Sequence, residues 1–182
     1  MIRNRYIPAF LIGLILVLFP SVLFAGGEPE VSLAPFQTFN LDGETVTEEI
    51  FAPYDLTMVN VWGTFCQPCI SEMPDLGNLY REYEPKGVQI VGIVVDVYSN
   101  DQDVFMEKLA TARSIIEYTQ ADYPHLLQSA DLSENYLKNV QVIPTTFFVD
   151  SEGTILGKEY ISSRSENSWR RIIDKMIEDY VD

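Results

Sequence analysis

The sequence holds few of the side chains from which metal centres are usually built, with two cysteines and one histidine among 182 residues. Covalent haem attachment through a C-x-x-C-H motif is excluded, because Ile70 follows the second cysteine directly. A copper site on two thiolates needs a third ligand, and His125 is the one histidine that could supply it. We therefore expect no metal, and a structural or surface role for His125.

Basic residues are also scarce. The 12 lysines and arginines are outnumbered by 27 aspartates and glutamates, which gives a formal net charge of −15 at pH 7. Such a chain is repelled by the phosphates of nucleic acids and by anionic lipid headgroups. These totals exclude nucleic-acid binding as the function, and solubility is the simplest reason for the acidity.

Residues 1–27 have the pattern of a targeting segment. Arg3 and Arg5 precede an apolar run, and small residues at 25–27 supply a signal-peptidase site. As a helix, residues 7–24 would extend about 27 Å, close to the thickness of a bilayer core. A cleaved signal peptide and an uncleaved anchor both fit, and both place the rest of the chain outside the cytoplasm. We expect the periplasm or the outer face of the cytoplasmic membrane, with the membrane reached only through this segment.

The remaining chain is expected to form a linker over residues 28–35 and one domain over residues 36–182. Alternating residues around Asp42-Gly43 predict a hairpin over residues 36–47. Further strands are predicted at 56–62, 88–95, 122–127, 145–149 and 154–157, and helices at 67–83, 101–119, 131–138 and 165–180. The order implies an α/β sandwich in which helices cover both faces of a mixed sheet.

Two details of the predicted helices can be compared with the structure. Asp131 is expected to cap the third helix. The buried face of the second helix is expected to comprise Val104, Phe105, Leu109, Ala112 and Ile116.

Cys66 and Cys69 lie where a predicted buried strand passes into a helix. A cross-link over a two-residue spacer stabilises a fold by only about 2 kcal/mol, so the spacing favours a functional pair over a structural one. At the helix N-terminus, Cys66 would meet unpaired N–H groups and the positive end of the dipole, which favour the thiolate. Cys69 lies one turn further on, placed to attack a mixed disulfide at Cys66. A tethered binding module whose disulfide is inert is the alternative function.

The motif WGTFCQPC with ISEMPDL behind it, followed about 75 residues later by VIPTTFFVDSEGTI, resembles the TlpA/ResA branch of the thioredoxin superfamily. The resemblance covers residues 35–182 and implies a thioredoxin-like three-layer sandwich with an inserted αβ element over residues 101–127. It also implies that Cys66 is the nucleophile, Cys69 the resolving thiol and Pro144 a cis proline facing the disulfide. The backbone near Ile143 would then pair with an extended client strand, whereas a proline that merely opens a strand is the alternative.

The same resemblance gives Glu72 a role in tuning the cysteines and relaying a proton. Glu72 follows Cys69 by three residues and so shares its helix face, although an ordinary surface glutamate is the alternative. Many cytoplasmic thioredoxins carry an aspartate six residues before the first cysteine, and here Asn60 stands there, which cannot titrate. Trp62 is expected to pack beside the active helix and, with Ile143 and Pro144, to contribute to the client site.

The resemblance implies a thiol–disulfide oxidoreductase that needs no cofactor beyond the redox-active Cys66–Cys69 disulfide. The leading function is a reductase of exported client proteins, such as apocytochrome c, supplied with electrons by a CcdA/DsbD-type envelope protein. An oxidase with the same chemistry is an alternative, because C-x-x-C proteins span potentials of about −270 to −120 mV. Copper delivery by a protein of the same fold is the second alternative function.

Overall fold

The computed structural model describes residues 31–98 and 105–181. Seven strands and four α-helices alternate along them. The strands are β1 (Gln37–Phe39), β2 (Thr45–Thr47), β3 (Leu56–Trp62), β4 (Val88–Val94), β5 (His125–Leu127), β6 (Thr145–Val149) and β7 (Ile155–Ile161). The helices are α1 (Gln67–Tyr83), α2 (Met106–Thr119), α3 (Ala130–Asn135) and α4 (Glu166–Tyr180). Short 3₁₀ helices span Glu48–Ile50, Glu84–Lys86 and Leu137–Asn139.

Five strands form one mixed sheet in the order β5-β4-β3-β6-β7. The β3–β4 and β4–β5 pairs are parallel, whereas β3–β6 and β6–β7 are antiparallel. Every residue of β3, β4 and β6 is buried, which explains why these strands are near-continuous apolar runs. The β1–β2 hairpin forms a separate small sheet.

The two faces of the sheet carry different covers. Leu56, Met58 and Trp62 of β3 belong to a core that α1, α2 and α4 complete. Val59 and Val61 point to the opposite face, which α3, the following 3₁₀ turn and the N-terminal residues cover. This arrangement confirms the predicted three-layer sandwich with helices on both faces of a mixed sheet, and it places α1 and α4 side by side over the middle of the sheet.

Three predicted details differ from the structure. Residues 31–35 belong to the domain instead of a linker: Leu33 is fully buried and its N–H donates to Gly153 O at 2.9 Å. Phe105 precedes α2 and is half exposed. The cap of α3 is Ser129, whose Oγ accepts from Leu132 N at 3.3 Å. Asp131 accepts instead from the backbone N–H of Gln37.

Some predictions fall on residues 1–30 and 99–104, which lie outside the described part of the chain. They are the targeting segment, the start of the linker, and the first residues of the second helix with Val104. Within residues 31–98 and 105–181, no helix combines the length and the apolar character needed to cross a bilayer.

Candidate active site

Cys66 and Cys69 form a disulfide where β3 passes into α1, with their Cα atoms 5.3 Å apart. Cys66 is the N-cap of α1, and its Sγ accepts from the backbone N–H of Cys69 at 3.3 Å. Pro68 lies in the first turn, where its missing N–H costs no hydrogen bond. The helix thus offers the Cys66 sulfur a donor and the positive end of its dipole, and both favour a thiolate once the pair is reduced.

The two cysteines differ in their exposure to solvent. Cys66 is 6% exposed, whereas Cys69 is fully buried at 0%. Phe65, directly before the pair, is 64% exposed. A Cβ at Gly63 would lie 3.0 Å from the Phe65 ring and 3.1 Å from Ile143, so both side chains lie against Gly63 in this turn. An incoming disulfide therefore reaches Cys66 before Cys69, over an apolar surface.

The turn that carries Cys66 is tied to two other elements. The Cys66 N–H closes it by donating to Gly63 O at 3.0 Å. Thr64 donates its backbone N–H and its hydroxyl to the carboxylate of Asp96, which follows β4. Lys108 of α2 contacts the same carboxylate at 3.1 Å. Hydrogen bonds and an ion pair from two other elements thus hold the turn that carries Cys66.

Glu72 is 3% exposed, so the alternative of a surface glutamate is excluded. Asn60 Nδ2 donates to its Oε1 at 3.1 Å. The backbone N–H of Arg164 and the indole N–H of Trp169 donate to Oε2 at 3.0 and 3.2 Å. Glu72 is therefore held in one orientation by donors from β3, from the β7–α4 loop and from α4.

Burial raises the pKa of Glu72, while the hydrogen bonds from Arg164, Trp169 and Asn60 and the charge of Arg164 oppose the rise. The balance leaves the pKa above that of an ordinary glutamate. A buried carboxyl group with a raised pKa is a candidate for a general acid or base.

Asn60 occupies the position where the sequence lacks an aspartate, and it faces Glu72. Its Nδ2 also donates to Thr146 Oγ1 at 3.0 Å. Its Oδ1 is buried and has no hydrogen-bond partner within the described residues. Because Oε2 of Glu72 already accepts two N–H donors, a proton taken up by Glu72 belongs on Oε1. Rotation of the Asn60 amide would then present Oδ1 as its acceptor.

The Ile143–Pro144 peptide bond is cis, as the resemblance implied. Pro144 is buried directly before β6. Within the described part of the chain, the N–H and C=O of Ile143 make no backbone hydrogen bond. They are therefore free to pair with an extended client segment, which is how an added strand binds to a sheet edge.

Trp62 cannot contribute a client contact in this structure, which corrects that part of the prediction. It is fully buried, and its Nε1 lies 3.2 Å from His125 Nδ1. The other ring nitrogen of His125 lies 2.9 Å from Ala121 O. Burial lowers the pKa of His125 to about 4, so the ring is neutral at pH 7. His125 is structural, and both of its nitrogens are engaged away from the cysteines.

Sequence reasoning missed four residues of this site: Trp169, Arg164, Asp96 and Lys108. Trp169 fits the inward face of α4 as a core residue, and its N–H donor to Glu72 follows only from the packing of α4 on α1. The other three lie in segments whose charged residues carry no local motif. Across residues 31–98 and 105–181, no three histidine, cysteine or acidic side chains converge as a metal site would require.

Comparison with known proteins identifies the family to which this chain belongs. The model of the AhpC/TSA family matches residues 29–157, more than half of the chain. The chain belongs to the AhpC/TSA family. The thiol-disulfide oxidoreductase ResA of Oceanobacillus iheyensis is 29% identical over 126 residues, which are 69% of this chain and 54% of that protein. The resemblance to the TlpA/ResA branch is thereby confirmed, although this family member spans only about half the length of that curated relative.

Solved structures agree on the fold of this AhpC/TSA protein. A thiol:disulfide interchange protein from Chlorobium tepidum superposes with a TM-score of 0.65 at 23% identity, covering 80% of this chain and 95% of that one. A secreted Mycobacterium tuberculosis disulfide oxidoreductase superposes with a TM-score of 0.59 at 16% identity, covering 77% and 95%. At these identities the likeness establishes the thioredoxin-like fold.

Proposed function

We propose that this AhpC/TSA family member is an extracytoplasmic thiol–disulfide oxidoreductase that reduces disulfides in exported client proteins. One observation carries the proposal: the disulfide at the N-terminus of α1 joins Cys66, which is 6% exposed, to Cys69, which is fully buried. A structural cross-link has no need of that asymmetry, whereas exchange needs an outer nucleophile and an inner resolving thiol. The relatives named thiol-disulfide oxidoreductase support the same activity.

The chemistry proceeds in two exchange steps. The Cys66 thiolate attacks one sulfur of the client disulfide, forming a Cys66–client bond and releasing the other client sulfur as a thiolate. Cys69 then gives up its proton and attacks the Cys66 sulfur, forming the Cys66–Cys69 disulfide and releasing the second client thiol. Two electrons pass from the pair to the client. Glu72 is the acid–base group proposed to take the Cys69 proton.

The surface around Cys66 suits an extended and partly apolar client segment. Phe65, directly before Cys66, and Val142, two residues before the cis proline, are 64% and 50% exposed. The free backbone groups of Ile143 supply hydrogen bonds that do not depend on the client sequence. Clients with C-x-x-C disulfides, such as apocytochrome c, fit these requirements.

Location and electron supply complete the proposal. The N-terminal pattern, as a cleaved signal or as an anchor, supports a position outside the cytoplasm, and the Mycobacterium tuberculosis neighbour is described as secreted. A pair that reduces clients must be reduced again, and a CcdA/DsbD-type membrane protein is the proposed electron donor. An oxidase would use the same residues with electrons flowing the other way.

The test traps the intermediate. The reduced full chain carrying Cys69→Ser is mixed with a synthetic peptide that contains one C-x-x-C disulfide, the reaction is quenched with iodoacetamide, and the products are separated by mass under non-reducing conditions. We expect a one-to-one adduct at Cys66, because Cys69 can no longer resolve it and alkylation blocks the released peptide thiol that would otherwise reverse the first step. The unsubstituted chain should instead release reduced peptide and become oxidised.

Cys66→Ser is the matched control, since it keeps the buried thiol of Cys69 and removes the accessible one. It should form no adduct under the same conditions. Equal adduct formation by the two variants, or none with Cys69→Ser, would contradict the proposed function.

A further inference from the structure

Asp96 binds the turn before the cysteine pair with both of its carboxylate oxygens. Its Oδ1 accepts from the backbone N–H of Thr64 at 2.9 Å, and its Oδ2 accepts from the Thr64 hydroxyl at 2.5 Å. The carboxylate is only 14% exposed. Thr64 is the second residue of the turn that the Gly63–Cys66 hydrogen bond closes. Asp96 therefore fixes the conformation in which Cys66 is presented.

The negative charge of Asp96 lies close to the turn that carries Cys66 and so opposes formation of the Cys66 thiolate. Lys108, in the first turn of α2, lies against the same group: its Nζ is 3.1 Å from Asp96 Oδ2 and 3.2 Å from Thr64 Oγ1. The ammonium group neutralises the carboxylate without displacing it from Thr64.

We propose that Asp96 and Lys108 are positioning residues for the nucleophile, the carboxylate fixing the turn and the ammonium cancelling its charge at Cys66. The inference rests on the proposed function, in which Cys66 is the attacking thiolate. The proposal also assigns a role to α2, because this helix carries Lys108, the cation paired with Asp96.

Among the described residues, other charged groups on the elements around the pair include Glu72 on α1, Glu107 in the first turn of α2 and Arg164 in the loop before α4. They stay the same in every variant considered below and so cancel in the comparison. A unit charge roughly 10 Å away through a partly solvated medium changes a thiol titration by about half a pH unit. Below the titration midpoint, that shift is about a three-fold change in thiolate concentration and hence in alkylation rate.

The test measures the alkylation rate of Cys66 by iodoacetamide against pH, in the full chain carrying Cys69→Ser so that one thiol reacts. Lys108→Met leaves the carboxylate unpaired and should move the midpoint up by about half a unit. Asp96→Asn keeps an acceptor for Thr64 but leaves the ammonium unpaired, and should move the midpoint down. The double variant should return near the parent.

Lys108→Arg is the matched control, since it keeps the charge and should leave the midpoint in place. In 1 M salt the opposite shifts should shrink, because exposed charges are screened. No shift with Lys108→Met, or shifts of Lys108→Met and Asp96→Asn in the same direction, would overturn the inference. Lys108 is on the surface, so its variant alone decides the matter if Asp96→Asn does not fold.

The outcome separates the inference from the function on which it rests. A parent protein that forms the client adduct while the midpoints stay fixed would refute only the pairing of Asp96 with Lys108. A parent whose Cys66 forms no adduct and reacts no faster than an ordinary cysteine at pH 7 would refute the function itself.

Discussion

The Glu72 carboxylate shows how one side chain can be both fixed and titratable. Burial disfavours its charge, whereas donors from Asn60, Trp169 and the backbone of Arg164 favour it. The effect of burial is larger than that of the hydrogen bonds, so the pKa of Glu72 is raised, while the same hydrogen bonds fix the orientation of its carboxyl group. The proposed role of Glu72 as proton acceptor for Cys69 uses both properties, a fixed orientation and a raised pKa.

Glu72→Gln tests this at the level of activity. The glutamine side chain has the same shape as glutamate. Its amide N–H can donate to Asn60 Oδ1, which has no hydrogen-bond partner within the described residues, so the fold should survive. Removal of the carboxylate should slow the step in which Cys69 gives up its proton by about 100-fold. Rapid mixing of the reduced chain with the peptide disulfide measures that step. Glu117→Gln, at an exposed position on α2, is the control and should leave the rate unchanged. An unchanged rate in folded Glu72→Gln would remove Glu72 from the mechanism.

The same variant has a signature in stability. A carboxyl group whose pKa is raised by folding contributes stability that is complete below its unfolded value, near 4.5, and lost as the pH rises through the folded value. The free energy of unfolding of the parent, relative to Glu72→Gln, should therefore fall as the pH rises from 4.5. Urea titrations at a series of pH values measure it. A difference that rises with pH would mean that the hydrogen bonds outweigh burial.

Residue roles were predictable from the sequence where the chain placed them close together. Cys66, Cys69 and Glu72 follow one another at helical spacing, so their shared face could be predicted from the motif. Trp62 is predicted to contribute to the client site, but its side chain points into the core towards His125. The direction in which a strand residue points depends on the sheet, which no local pattern contains.

At the scale of elements, α1 and the end of α2 approach closely at Gly77. A Cβ at this position would lie 2.5 Å from the backbone oxygen of Gln120, a residue in the left-handed conformation that ends α2. Glycine therefore permits the contact between the inserted helix and the active-site helix, although it weakens α1 as a helix by about 1 kcal/mol relative to alanine.

Gly77→Ala should destabilise the protein by about 1–3 kcal/mol, because the clash with a backbone atom outweighs the gain in helix propensity. Ser71→Ala is the control: it lies on the exposed face of the same helix and should change the stability by no more than about 0.5 kcal/mol. Equilibrium unfolding in urea measures both variants. A Gly77→Ala protein as stable as the parent would show that α2 can move away from α1 freely.

Element boundaries were predictable where buried strands alternate with amphipathic helices, and β3 and α1 agree with their predicted bounds. The residue that caps α3 could not be predicted in this way. Ser129 and Asp131 are both good capping residues; Ser129 is the cap, and the Asp131 carboxylate accepts from the backbone N–H of Gln37, 94 positions away in the chain. Long-range hydrogen bonds of this kind leave no mark on the local sequence.

At the scale of the whole molecule, the sequence predicted the sandwich because its central strands are apolar throughout and its turns are marked by glycine and proline. The start of the domain was predicted wrongly. Prolines at both ends of residues 28–35 predict a linker, but Leu33 is fully buried, and residues 31–33 form hydrogen bonds with residues 153–155 at the end of the β6–β7 turn. A short segment that packs as an isolated bridge lacks the length from which a periodic pattern could be recognised.

The reduction potential of the Cys66–Cys69 pair tests the central claim most directly. The full chain is equilibrated in thiol buffers of defined potential, and the oxidised fraction is measured by mass after alkylation. An exchange catalyst should show a reversible two-electron transition between about −270 and −120 mV, and a reductase should lie near the lower end. A pair that stays oxidised below about −300 mV, as structural disulfides do, would contradict the account.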